Sequence, residues 1–94
     1  MIDYEKNFLE ARENISEIDK EIAKLFEKRM NASKVIAEYK KVNGIPVEDK
    51  ERENHLLKNN SENIVDEEIR SYYYDFQKNV MTISKDYQNK LLEK

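Results

Sequence analysis

Apolar side chains in the first half of the chain recur at alternating steps of three and four residues. The positions joined by these steps, with an arginine replacing the hydrophobe at one of them, are Phe8, Ala11, Ile15, Ile18, Ile22, Leu25, Arg29, Ala32, Ile36 and Tyr39. This heptad spacing is typical of a coiled-coil-like seam and predicts one helix from near Tyr4 to near Val42. At a rise of about 1.5 Å per residue the helix exceeds about 50 Å, more than the rest of the chain can cover. We therefore expect a second copy of the chain to pack along it.

The remaining sequence predicts two further helices. The single glycine and the single proline fall together in residues 43–46 (NGIP), which predicts the end of the first helix. Residues 47–60 are polar and predict a short helix of two to three turns. Asp66 can cap a third helix, whose apolar positions again step by four and three residues: Ile69, Tyr73, Phe76, Val80, Ile83 and Tyr87. The predicted fold is all-α, with helices that are long, short and long.

Composition narrows the classes of function. With 94 residues, of which 39% are charged and 38% hydrophobic, the chain predicts one domain (1–94) with a core too lean for an independent monomer. A net charge of -3 without a basic block argues against nucleic acid or an anionic membrane as partner. The absence of cysteine excludes disulfides and thiolate metal sites, and one histidine, His55, leaves no histidine cluster for a metal. Residues 1–10 lack the apolar core of a signal peptide, so we expect a cytoplasmic protein.

Cations interrupt the apolar seam of the first helix. Arg29 and Lys40 are eleven residues apart, roughly 16 Å along a helix, and two long side chains leaning together can close this gap around a small anion. Arg12 and Arg29 are seventeen residues apart, roughly 25 Å, which no single small ligand bridges. If Arg12 belongs to the same site, it comes from the other protomer of an antiparallel, intertwined pair. The alternative is that these cations extend to solvent or pair with carboxylates across the interface.

Two further polar groups have helical spacing. Asp49, Arg52 and Glu53 occupy positions i, i+3 and i+4 of the predicted short helix. Ser84 and Gln88 are i and i+4 in the third helix, next to its apolar positions, so their side chains are expected at the edge of the core. The alternatives are a solvated, self-pairing charged face for the first group and local hydrogen bonds for the second.

Four segments together resemble the all-helical class of chorismate mutases over nearly the whole chain. These segments are LEARENISEIDKEIAKLFEKRM, VIAEYK, PVEDKERE and SKDYQ. The resemblance depends on the order and spacing of eight polar residues, none of which departs from the family pattern: Arg12, Arg29, Lys40, Asp49, Arg52, Glu53, Ser84 and Gln88. It implies an intertwined homodimer of three-helix chains with two equivalent sites.

The resemblance also implies how the substrate is held. Arg29 and the partner subunit's Arg12 would hold the two carboxylates of chorismate, with Ser84 assisting at one of them. Lys40 and Gln88 would donate hydrogen bonds to the ether oxygen, which makes Lys40, Gln88 and Arg29 the expected catalytic residues.

The ring hydroxyl would meet Asp49 and Glu53, and Arg52 would lie beside the carboxylate that it helps to orient. The implied reaction is the Claisen rearrangement of chorismate to prephenate in aromatic amino acid biosynthesis. Because this reaction is unimolecular, it requires no nucleophile, metal, cofactor or proton transfer. The alternatives are an isochorismate-pyruvate lyase of the same fold and a non-catalytic helical dimerisation module.

Overall fold

The computed structural model describes residues 1–93, which form three helices in the predicted order. Helix α1 spans Tyr4–Asn43, α2 spans Lys50–Ser61 and α3 spans Glu67–Leu92, and these described residues contain no strand. The predicted all-α fold with long, short and long helices is therefore confirmed. No helix within this range carries an apolar stretch long enough to cross a membrane.

The ends of α1 are set by local chemistry. Asp3 precedes the helix, and its carboxylate accepts a hydrogen bond from the backbone N–H of Lys6 at 3.0 Å.

At the other end of α1, Gly44 has a φ of +64°, the left-handed conformation that glycine adopts without a steric penalty. The N–H of Ile45 then bonds the carbonyl of Lys40 at 2.8 Å, as in a Schellman motif. The predicted break at residues 43–46 thus ends the helix.

Residues 1–31 form one compact unit, which consists largely of the first part of α1. The side chains of its predicted seam are exposed in the single chain, with exposed fractions of 55% at Phe8, 57% at Ile15 and 62% at Leu25. Within this unit the apolar seam is therefore not buried.

Residues from 32 onward form the second unit, which contains the end of α1 together with α2 and α3. Its small apolar core consists of Ala37 from α1, Val47 from the following connection, Leu57 from α2 and Met81 from α3. Helix α2 packs against α3. The connection between them is closed by Arg70, whose guanidinium donates two hydrogen bonds to one backbone carbonyl at 2.8 and 3.1 Å.

Helix α3 is buried along a different line from the one its apolar pattern suggests. Its buried residues are Gln77, Met81, Ser84 and Gln88, spaced by four, three and four positions. The predicted apolar line is displaced from this one and remains partly outside, with Ile69 54%, Phe76 50% and Ile83 45% exposed. The face that α3 turns toward its own chain is therefore mainly polar.

Candidate active site

Lys40 holds the connection between α1 and α2. It lies half-buried in the last turn of α1, and its Nζ donates a hydrogen bond to the backbone carbonyl of Val47 at 2.8 Å. Because Val47 is itself buried, this contact fixes the ammonium at the edge of the small core. A lysine ammonium has three N–H donors, so two remain for other acceptors.

Asp49 does not lie inside the short helix, as its spacing suggested, but immediately before it as the N-cap. Its Oδ1 accepts a hydrogen bond from the backbone N–H of Arg52 at 3.1 Å. The capping bond satisfies a backbone donor that would otherwise have no partner in the first turn. Asp49 is consequently fixed at the start of α2 with its second carboxylate oxygen available.

Glu53 pairs with α3, and the expected self-pairing within the short helix does not describe it. Its Oε1 lies 3.0 Å from the Nζ of Lys85, which is also 3.7 Å from Glu48. The hydrogen bond from Lys85 to Glu53 raises the pKa of this lysine, and partial desolvation opposes the rise. Arg52 directs an exposed side chain from the same helix. The ion pair thus orients one carboxylate oxygen of Glu53 and leaves the other for a further contact.

A buried polar cluster joins α1 to α3. The hydroxyls of Ser33 and Ser84 are 2.6 Å apart, and the Nε2 of Gln88 donates to Ser84 Oγ at 3.2 Å. All three side chains are buried, with exposed fractions of 4%, 5% and 6%. The local hydrogen bonds expected as an alternative for Ser84 and Gln88 are therefore present.

The hydrogen bonds of this cluster leave the carbonyl oxygen of Gln88 without a donor. The Oε1 of Gln88 is buried and has no hydrogen-bond partner among the residues described. An unsatisfied buried acceptor costs about 1 to 3 kcal/mol, and buried amides usually avoid it. Gln88 is thus an amide held at one end by Ser84 with its other end unpaired, the arrangement expected where a ligand completes the hydrogen bonding.

The two arginines predicted for the site lie in the unit formed by residues 1–31. Arg12 is exposed, and its guanidinium carbon lies 4.9 Å from the centroid of the Phe8 ring. Arg29 is half-buried and makes no hydrogen bond or ion pair with any described side chain. Their relation to the other six predicted residues stays a prediction.

Within the second unit, the observed contacts join α2 to α3 through Glu53 and α1 to α3 through Ser84, while Lys40 and Asp49 bond within the connection between α1 and α2 and its junction with α2. Helix α1 contributes Lys40, α2 is capped by Asp49 and carries Glu53, and α3 supplies Ser84 and Gln88. Sequence reasoning missed two residues that make these contacts, Ser33 and Lys85. Ser33 had a signal, since it lies seven residues before Lys40 on the same line of α1, whereas Lys85 resembled any lysine of a charged helix.

The chemistry available to this arrangement is donation without covalent participation. An ammonium with two remaining donors can stabilise negative charge that develops on an oxygen, and the Gln88 amide can do the same when its NH2 group faces that oxygen. The acceptors at Asp49 and Glu53 can receive a hydrogen bond from a hydroxyl group. Such a site suits an anionic ligand that carries a hydroxyl group.

Comparison with known proteins identifies the family. A family model described as chorismate mutase type II matches residues 11–89, a range that begins one residue before Arg12 and ends one residue after Gln88. No curated protein and no solved structure matches the chain. Because the family match covers well over half of the sequence and the three-helix fold agrees with it, the chain belongs to the all-helical chorismate mutase type II family, whose members are isomerases.

Proposed function

We propose that this protein converts chorismate to prephenate in two equivalent sites of a homodimer. The observation that carries the proposal is the polar, buried line of α3, where Ser84 and Gln88 are sequestered from water and one amide atom of Gln88 has no partner. A helix that served dimerisation alone would gain stability by burying apolar residues on this line. The membership of an isomerase family agrees with a site that rearranges its substrate.

The reaction is an intramolecular rearrangement in which the C–O bond of the ether breaks as a new C–C bond forms. No atom enters or leaves, so the protein must select the reactive conformer of a flexible dianion and stabilise the charge that grows on the ether oxygen. We assign the contacts with this oxygen to Lys40 and Gln88. Donors that bind the transition state more strongly than the substrate raise the rate of the chemical step.

The substrate carboxylates require cations, and we assign these to Arg29 and to the partner subunit's Arg12, with Ser84 assisting at one carboxylate. A guanidinium matches a carboxylate with two parallel N–H donors, and the half-buried Arg29 makes no competing ion pair in the described chain. The exposed seam of residues 8–25 supports the homodimer, because a second copy of the same helix carries the complementary apolar pattern.

The ring hydroxyl is assigned to the acceptors at the start of α2. Asp49 uses Oδ1 for the helix cap, and Glu53 uses Oε1 for Lys85. Each retains one carboxylate oxygen, and Arg52 lies in the same turn to help orient the carboxylates. We place the reaction in the cytoplasm and treat residues 1–94 as one catalytic domain that uses no cofactor.

The test is the loss of chorismate absorbance with purified wild-type protein beside Lys40→Ala and Gln88→Ala. We expect wild-type protein to form prephenate and each variant to be slower by at least about a hundredfold. Lys34→Ala and Asn89→Ala are the controls, because both residues are exposed on the same two helices, and these should retain wild-type rates.

An intact wild-type dimer that leaves chorismate unchanged would refute the proposal. Incubation with isochorismate then tests the lyase, which would release pyruvate and salicylate. If neither substrate reacts and neither raises the melting temperature, the helices form a dimerisation module, since a ligand that binds the folded state stabilises it.

A further inference from the structure

We propose that Ser33 is a positioning residue that sets the direction of a hydrogen-bond relay from Ser33 through Ser84 to Gln88, so that the Gln88 NH2 group faces the substrate. The inference rests on the proposed function, because the ether oxygen of chorismate is an acceptor and requires a donor opposite it. It extends that function to a residue on α1 that is not among the eight predicted site residues.

The Ser33 hydroxyl has one hydrogen to donate and lies in a buried position. This side chain is 4% exposed, so water is not available to it. Ser84 Oγ, at 2.6 Å, is the hydrogen-bond partner that residues 1–93 provide for the Ser33 hydroxyl. A hydroxyl has one hydrogen and can also accept. To satisfy its only hydrogen, Ser33 must therefore donate to Ser84.

The bond from Ser33 determines where the Ser84 hydrogen points. Once Ser84 Oγ accepts from Ser33, its own hydrogen is free to be donated to the neighbouring amide of Gln88, one turn along α3. A donated hydrogen requires the carbonyl oxygen of the amide at that position. The relay thus runs in one direction, from Ser33 to Ser84 to Gln88.

The Gln88 amide can take two orientations that differ by a half-turn. With Nε2 toward Ser84, one of the two serine hydroxyl hydrogens lacks an acceptor, whichever serine donates to the other, and the buried Oε1 lacks a donor. A half-turn of the amide exchanges two groups of nearly equal size. It places Oε1 where Ser84 can donate to it and turns the NH2 group toward the side on which Oε1 is unpaired. This orientation satisfies both serine hydroxyls and the amide oxygen, and it leaves the N–H donors of Gln88 for the ligand.

Removing the Ser33 hydroxyl should release this control. In Ser33→Ala, Ser84 loses the short bond that holds it, and its hydroxyl can turn to the backbone carbonyl of Val80, as serines within helices often do. The Gln88 amide is then held by one weaker contact. Because the contact between Gln88 and the ether oxygen strengthens toward the transition state, kcat should fall about three- to tenfold while KM changes little.

The matched control is Ser61→Ala. Ser61 lies in α2 and outside the relay, and its buried hydroxyl has no hydrogen-bond partner among the described residues. This variant should leave kcat within about twofold of wild type. A double-mutant cycle completes the kinetic test, because Ser33→Ala should cost little further activity once Gln88→Ala has removed the end of the relay. A general packing defect would lower activity in both backgrounds.

A second readout does not depend on turnover. The side-chain ¹³Cδ resonance of Gln88 in the free protein should move upfield in Ser33→Ala, because its carbonyl oxygen loses a hydrogen-bond donor, and it should be unchanged in Ser61→Ala. An unchanged resonance, a kcat within about twofold of wild type in Ser33→Ala, or independent effects in the cycle would each overturn the relay. If wild-type protein does not convert chorismate, the proposed function fails, and the resonance alone decides whether the relay exists.

Discussion

Replacing Lys85 with methionine removes the ion pairs that tie α3 to Glu53 and Glu48 but keeps an unbranched, apolar side chain of similar length. The pair with Glu53 spans 3.0 Å between side chains that are 28% and 23% exposed, whereas Glu48 lies 3.7 Å away and is 55% exposed. The more solvated pair should contribute almost nothing. The pair with Glu53 is at the upper end of the range for partly exposed ion pairs, about 1 kcal/mol.

A loss of about 1 kcal/mol corresponds to a fall in melting temperature of roughly 4 to 8 °C for a chain of this size. The pH dependence is a sharper test of the cause. The hydrogen bond to Glu53 raises the pKa of Lys85 above its ordinary value of 10.5. A cationic group whose pKa is raised by folding stabilises the folded state at pH values below its pKa in the unfolded chain. This contribution is lost as the pH rises through the pKa of the group in the folded chain.

The assay is thermal unfolding of wild type and Lys85→Met, followed by circular dichroism at a fixed protein concentration from neutral pH to about pH 12. The difference between them should be constant up to about pH 10 and should shrink above 10.5. Lys34→Met, an equal change of charge at an exposed position of α1, corrects for the general effect of removing a cation. A difference that persists unchanged at the highest pH would refute the electrostatic reasoning and assign the loss to packing.

Three further predictions concern the shared site, the core and a helix cap. Arg12→Ala and Arg29→Ala should each be inactive. In an equal mixture of exchanging protomers about half of the dimers are mixed, and one of the two sites in each mixed dimer has both arginines, so about a quarter of wild-type activity should return. No recovery would mean that both arginines act within one chain. Leu57→Ala, at a residue 5% exposed, should lower the free energy of unfolding by about 2 to 5 kcal/mol in urea titration, and an equal loss in half-buried Leu56→Ala would contradict this. Asp66→Ala removes the bond to the Glu68 N–H and should cost about 1 kcal/mol of stability, whereas Asp75→Ala, exposed within α3, should cost nothing by the same titration.

The end of α1 and the start of α3 could be predicted because they depend on nearby residues. Gly44 ends α1 through its positive φ, and Asp66 caps α3 by accepting from the N–H two residues later. These interactions join positions close in sequence, so residue type and order are sufficient. The same holds for the long helix, whose heptad pattern extends over many turns.

The buried line of α3 was harder to predict because hydrophobicity followed a different surface. The apolar positions of α3 lie partly outside the single chain, while Gln77, Ser84 and Gln88 face inward. Contacts between distant residues were also hidden, since nothing in the spacing of Lys85 indicated that it would meet Glu53 across two helices. The family resemblance named Ser84 and Gln88, but only the structure revealed that Ser33 contacts them.

The outward position of the apolar residues on α3, together with the exposed seam of α1, ties the proposed enzyme's activity to its concentration. In the proposed homodimer, a protomer that leaves Phe76 and Leu25 in water would gain hydrophobic stabilisation when it meets another copy. Dilution should therefore lower specific activity, and the fall should be reversed by reconcentration. A newly synthesised chain faces the same equilibrium, so its lifetime in the cell would depend on how soon it meets a second copy.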